Sequence, residues 1–159
     1  MSHTPPSHTP LSHIAEFGNM SDITTTMLPL DGLNVLLVED DPDVREATLA
    51  LMEAEGAQVT ALDAAEPAIQ VLAGGADAFD VLLTDVVLGG ALTGFDVAAA
   101  ALARHPGLGV VLATGYYMPA GRLPARLADS ALLLMKPYRR SDLLATIAAA
   151  CPARHIALA

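Results

Sequence analysis

Four short apolar runs each stop at a polar group, and this pattern restricts the fold more than anything else in the chain. Val35-Leu36-Leu37-Val38 stops at Glu39-Asp40-Asp41, and Val81-Leu82-Leu83-Thr84 stops at Asp85. Val110-Val111-Leu112-Ala113 stops at Thr114, and Leu132-Leu133-Leu134-Met135 stops at Lys136-Pro137. Unbroken apolar runs of this length, spaced by helix-like stretches, read as strands of a parallel sheet covered on both faces. Ligands of open parallel sheets sit beyond the carboxyl ends of the strands. The spacing therefore brings three carboxylates, a hydroxyl and an ammonium toward one place.

The helices between the runs have legible ends. Asp41 reads as an N-cap followed by Pro42 at the first helical position, with Val44, Thr48, Leu51 and Met52 as the inward stripe and a stop near Gly56. Gln58 to Leu62 forms a second strand. Asp63 reads as the cap of a helix carrying Ile69, Val71 and Leu72, which stops at Gly74-Gly75. A third helix runs from about Phe95 to His105, before Pro106-Gly107. Between Tyr116 and Ser130 the prolines and Gly121 leave room only for a short helix, starting at Pro124. Ser141 reads as the N-cap of the last helix, with Leu143, Leu144 and Ile147 on its apolar face and an end at Pro152. Five strands alternating with five helices, joined by right-handed crossovers, predict a doubly wound α/β fold.

Residues 1–30 are of another kind. They are rich in Ser, Thr, Pro and His, with the near-repeat Ser2-His3-Thr4-Pro5 and Ser7-His8-Thr9-Pro10. Such a segment buries too little apolar surface to offset its ordering entropy, so it reads as a disordered tail. His3, His8 and His13 recur every five residues, but nothing in a flexible segment fixes three histidines as metal ligands. Met20 or Met27 is an alternative start. The domain is expected at 33–151, with a short tail at 152–159.

Composition removes several function classes. A net charge of -10 with only eight Lys and Arg argues against direct nucleic-acid binding, which needs clustered basic groups. A single cysteine, Cys151, excludes an internal disulfide and fits a reducing compartment. No apolar stretch is long enough to span a bilayer, and the first residues lack the basic and apolar regions of a secretory signal. The expectation is a soluble, cytoplasmic protein without membrane insertion.

Glu39, Asp40 and Asp85 end two different strands, and three carboxylates brought together repel one another. A hard divalent cation resolves that repulsion, and Mg²⁺ favours carboxylates, water and phosphate oxygens. One carboxylate can then attack phosphorus, with Lys136 offering a point charge and Thr114 a hydroxyl to the transferred group.

These residues carry a resemblance. The chain resembles the receiver domain of response regulators in bacterial two-component signalling, across residues 33 to 151. Val38-Glu39-Asp40-Asp41 matches the acidic pair after the first strand, and Leu83-Thr84-Asp85 the phosphoacceptor segment. Ala113-Thr114-Gly115 matches the hydroxyl position, and Met135-Lys136-Pro137 the lysine. The separations agree as well: 45 residues from Asp40 to Asp85, 29 on to Thr114 and 22 on to Lys136.

The resemblance implies a flavodoxin-like five-stranded sheet of order 2-1-3-4-5. It also implies Asp85 as the nucleophile that accepts phosphate from a kinase phosphohistidine. Asp40 and Asp85 would bind Mg²⁺ directly, Glu39 mainly through water, and the Val87 backbone carbonyl would complete the set. Lys136 and Thr114 would bind phosphoryl oxygens, and the Lys136–Pro137 bond would be cis. The partners implied are a sensor histidine kinase, hybrid kinases included, or a histidine phosphotransfer protein. The chain would be no enzyme beyond its own phosphoryl transfer and slow autodephosphorylation.

Two departures stand out. The aromatic switch residue usual three positions before the lysine is replaced by Leu133, and the fourth helix is interrupted by prolines. Ala113-Thr114-Gly115-Tyr116 resembles an atypical receiver subgroup that often lacks this aromatic too; Tyr116 or Tyr117 is either its substitute here or an ordinary partly buried surface tyrosine. Val87 and Tyr116 stand two positions after Asp85 and Thr114 and orient water poorly, which predicts slow autodephosphorylation. With only about eight residues after the last helix, output is expected through protein–protein contact, without an effector domain. The alternatives are an aspartyl-phosphate hydrolase of haloacid-dehalogenase type and a phosphorylation-independent pseudo-receiver. The first wants an Asp where Val87 stands, and intact site residues argue against the second.

Overall fold

The computed structural model describes residues 26–116, 118, 123–154, 156 and 158. The histidine-bearing segment, Met20 and Tyr117 lie outside the described residues. In chain order the elements are β1 (Asn34–Val38), α1 (Pro42–Ala54), β2 (Gln58–Leu62), α2 (Ala65–Gly75), β3 (Val81–Asp85) and α3 (Gly94–Arg104). They continue with β4 (Gly109–Thr114), α4 (Ala125–Ala128), β5 (Ala131–Met135) and α5 (Arg140–Ala150). All strand pairs are parallel, and the order is β2-β1-β3-β4-β5. This is the expected flavodoxin-like sheet.

Strand side chains alternate between faces with a period of two, and along β1, β3 and β4 both faces are buried. Leu36, Val38, Leu82, Val110 and Leu112 join a core with residues of α2, α3 and α4. Val35, Leu37, Val81, Leu83, Val111, Ala113 and Leu134 join the other, under α1 and α5. Packing begins ahead of β1: Leu30 and Leu33 are buried, and the Leu30 amide donates to the Glu55 carbonyl at 2.8 Å.

The helix ends test the capping rules. Asp41 caps α1, its side chain accepting from the amides of Asp43 (2.9 Å) and Val44 (3.1 Å). Gly56, at φ +96°, takes the left-handed conformation that closes the helix. Of the expected stripe, Thr48 and Met52 are buried, and Val44 and Leu51 are half-buried. Asp63 is not the cap of α2. Ala64 occupies that position with no side-chain bond, so Asp63 stands one residue too early to reach the free amides. Helix α2 runs through Gly75 into a 3₁₀ turn, Ala76–Ala78. Helix α3 starts one residue before Phe95, and the Asp96 carboxylate folds back onto the Thr93 amide at 2.8 Å. Ser141 is not the cap of α5 either. It lies inside the helix, whose first turn is closed by the Asp142 carboxylate accepting from the Arg139 amide at 2.9 Å. Helix α4 is a single turn after Pro124, as the prolines imply.

Two contacts bear on how the helices seat against the sheet. Gly94 opens α3 directly against the last residue of β3: a Cβ there would collide with the Asp85 carbonyl oxygen and lie 3.0 Å from the Val86 Cα. Backbone cannot rotate away as a flexible side chain can. Gly94→Ala is therefore expected to displace the Asp85 backbone and cost about 1–3 kcal/mol, the usual range for overpacking. A lowered denaturant midpoint checks this, and an unchanged one refutes it.

The second contact joins the α1 C-cap to the start of α5. Arg140 makes a two-pronged ion pair with Glu55, Nε to Oε1 and Nη2 to Oε2 at 2.8 Å. Hydrogen bonding from Arg140 holds the Glu55 carboxyl below its ordinary 4.5, against the opposing effect of burial. A carboxyl depressed in the folded state stabilises above its unfolded pKa and loses that contribution as pH falls through the folded value. The stability gap between the native chain and Glu55→Gln should thus be full at neutral pH and close at pH well below 4.5. Paired denaturant titrations measure it, and a gap independent of pH would contradict the assignment.

Candidate functional site

The alternation that builds two cores also sorts the site residues. Glu39 extends the row of Val35 and Leu37, Asp85 that of Val81 and Leu83, and Lys136 that of Leu134. All three rows belong to the α1/α5 layer, so three strands deliver their end groups to one side of the sheet. Thr114 extends the row of Val110 and Leu112, which belongs to the other layer.

The three carboxylates meet. Glu39, Asp40 and Asp85 each place a carboxylate oxygen within 4.8 Å of the others. The Lys136 ammonium lies between two of them, donating to Glu39 Oε2 at 2.6 Å and to Asp85 Oδ2 at 3.1 Å. Glu39 is the most enclosed of the set, 4% exposed, and its other oxygen accepts from the Asp41 amide at 3.2 Å. Asp40 is exposed and accepts from the Gly89 amide at 3.2 Å, which pins the loop after β3.

Burial, reinforced by the negative charge of Asp85, raises the Glu39 carboxyl above 4.5, although hydrogen bonds from Lys136 and the Asp41 amide pull the other way. Burial alone would lower the Lys136 ammonium. Its hydrogen bonds to Glu39 and Asp85 outweigh that and hold it above 10.5, so the cation persists at neutral pH. Three carboxylates against one ammonium leave a formal charge of about -2 when all are ionised. Hard oxygen donors and a residual double negative charge fit Mg²⁺ well and soft metals poorly.

Thr114 borders the same cavity, of 360 Å³, but its hydroxyl is engaged elsewhere. It accepts from the Tyr116 amide at 3.1 Å and faces the Tyr116 carbonyl at 3.3 Å. Val87 lines the cavity and is 57% exposed, and Tyr116 is 73% exposed. Lys136–Pro137 is cis, as the resemblance implies.

The supporting roles of three residues were not read from the sequence. Arg45 donates from Nη1 to the Glu39 carbonyl at 2.8 Å and the Asp40 carbonyl at 3.4 Å, tying down the loop that carries both acids. A signal existed, since a cation in the first turn of a helix opposes the helix dipole and calls for a local reason. Thr48 and Tyr138 share a hydrogen bond of 2.9 Å between their hydroxyls, joining α1 to the segment just after Lys136. Burial raises the Tyr138 phenol above 10.0, so it stays neutral and able to donate. Their separation of 90 residues left no local trace in the sequence.

Comparisons with known proteins agree with this geometry. A family model of the response regulator receiver domain matches residues 35–148. The response regulator protein FleR of Pseudomonas aeruginosa is 35% identical over 114 residues, covering 72% of this chain and 24% of FleR. The chain thus spans about a quarter of that relative's length. The response regulator receiver protein CpdR of Brucella abortus is 31% identical over 110 residues, 69% of this chain and 89% of CpdR.

Among solved structures, a response regulator receiver protein from Sinorhizobium medicae WSM419 superposes with TM-score 0.67 at 24% identity, covering 79% of this chain and 99% of its own. A CheY-like receiver domain protein from Methanospirillum hungatei JF-1 gives 0.66 at 23% identity, over 76% and 94% of the two chains. These two likenesses establish the fold alone. No helix among the described residues is long and apolar enough to cross a membrane. With the family model covering all but the first residue of the sheet and every candidate site residue, the chain belongs to the response regulator receiver domain family, signalling modules of two-component systems.

Proposed function

We propose that the chain is a phosphoacceptor whose Asp85 takes a phosphoryl group from the phosphohistidine of a sensor kinase or a histidine phosphotransfer protein. The observation that carries this reading is the Lys136 ammonium, held between Glu39 and Asp85 with Asp40 alongside. An Asp85 carboxylate oxygen attacks phosphorus, the phosphorus–nitrogen bond of the donor breaks, and the imidazole departs with the bonding pair and takes a proton. The product is an acyl phosphate. Lys136 lies close enough to follow the new phosphoryl oxygens, exchanging a carboxylate partner for one of them. Thr114 would leave its Tyr116 contacts to bind another oxygen. Glu39, Asp40, Asp85 and the Val87 carbonyl would hold Mg²⁺, which when bound supplies charge neutralisation at the reacting phosphoryl group.

The receiver unit is read as 33–151, with tails at 1–30 and 152–159, the last residue of the first tail, Leu30, being buried against the domain. The Ala113-Thr114-Gly115-Tyr116 string, Leu133 in the switch position and a one-turn α4 support assignment to the atypical subgroup. Output is through protein–protein contact in the cytoplasm. A hydrolase draws no support, because an apolar, exposed Val87 stands where its second acid is needed.

Incubation with Mg²⁺ and acetyl phosphate, followed by intact mass measurement, tests the proposal. The expected result is a gain of one phosphoryl group that is lost in Asp85→Ala. No gain, or phosphate on another residue, defeats it. Val87 and Tyr116 are poor at orienting an attacking water, so the acyl phosphate is expected to persist for minutes or longer after donor removal. Loss within seconds would reject the slow-hydrolysis reading.

A further inference from the structure

Tyr138 touches none of the reacting groups, yet it anchors the segment that presents Lys136. Lysine carries a flexible four-carbon stem whose rotamer freedom is lost when its tip is held in one place. Its tip is held by Glu39 and Asp85, and its backbone amide donates to the Thr114 carbonyl at 2.8 Å. Beyond that amide the chain leaves the sheet. The next fixed point toward α1 is the Tyr138 hydroxyl on Thr48. Thr48 is 5% exposed on the inward face of a thirteen-residue helix, so it is a rigid partner. The Tyr138 ring also packs against the α1/α5 core.

Between α1 and this segment lies an open groove of 480 Å³, bordered by Val44, Thr48, Lys136, Pro137 and Tyr138. Side-chain packing therefore does not fill the space between Lys136 and α1, and the hydroxyl pair bridges it instead.

We propose that Tyr138 is a positioning residue: through Thr48 it fixes the segment whose Lys136 ammonium must meet the incoming phosphoryl oxygens. The inference rests on the phosphoacceptor reading above. A displacement of a catalytic group by about 1 Å is costly in rate, and two hydroxyls acting as one unit are non-additive.

The test uses the full chain with Mg²⁺ and acetyl phosphate, well below the unfolding temperature of each variant. Tyr138→Phe keeps the ring and removes the hydroxyl, and Thr48→Val keeps the shape of its partner. Each should slow phosphoryl uptake by about three- to tenfold. The double variant should be no slower than either single one, and Thr48→Ser, which retains the hydroxyl, should restore the native rate. A native rate in Tyr138→Phe, additive losses in the double variant, or a slow Thr48→Ser each overturns the proposal.

If the native chain takes no phosphoryl group, the phosphoacceptor reading fails by itself. Positioning is then judged from the Lys136 side-chain ammonium resonance in nitrogen-15 NMR. A resonance shifted or broadened alike in Tyr138→Phe and Thr48→Val, but native in Thr48→Ser, sustains it. A native resonance in Tyr138→Phe overturns it.

Discussion

A parallel sheet covered on both faces leaves its central strands no direction in which to turn a charge toward water. Every ionisable group is therefore pushed to a strand end, and all the strands of a parallel sheet end on the same side. In this chain β1, β3 and β4 are buried along nearly their whole length. Glu39 and Asp85 stand at the carboxyl ends of β1 and β3, and Lys136 at that of β5. The site follows from the same constraint as the fold, since solvation of charge and burial of apolar surface act on one set of strands.

Concentrating acids at one end has a cost that the structure meets locally. Burial and the charge of Asp85 both disfavour the ionised form of Glu39, and Lys136 offsets this by bridging the pair. Arg45 adds a second cation from beneath, bonded to carbonyls rather than to carboxylates. It steadies the acidic loop without neutralising it, leaving the acids free to bind a cation. The ammonium is thus both the internal counterion of the resting site and the group placed to meet a phosphoryl oxygen.

Features set by local pattern were legible beforehand. The strands and the convergence of Glu39, Asp40, Asp85 and Lys136 follow from uninterrupted apolar runs and the chain's alternation, and the strand order from the family resemblance. Asp41 was readable as a cap because its side chain and the two amides it meets are neighbours in sequence. Asp63 and Ser141 misled because each sits one or two residues from the true cap, and residue preference does not resolve a shift that small. At α5 the competing acid, Asp142, bonds back from inside the helix and makes a side-chain cap unnecessary. The resting partner of Thr114 depends on the path of the loop after β4, which the residue types alone do not specify.

By itself the sequence determined the layer architecture and the chemical identity of the site, because period-two burial and strand-end charges are properties of consecutive residues. Only the tertiary structure decided how those groups are held. Lys136 between Glu39 and Asp85, Arg45 under the acidic loop, Glu55 against Arg140 and Tyr138 against Thr48 are set by crossovers that bring distant segments together. The physical reason is range. Apolar burial is imposed residue by residue along the chain, whereas a hydrogen bond or an ion pair acts over about 3 Å, and which atoms come that close is settled only once the helices dock.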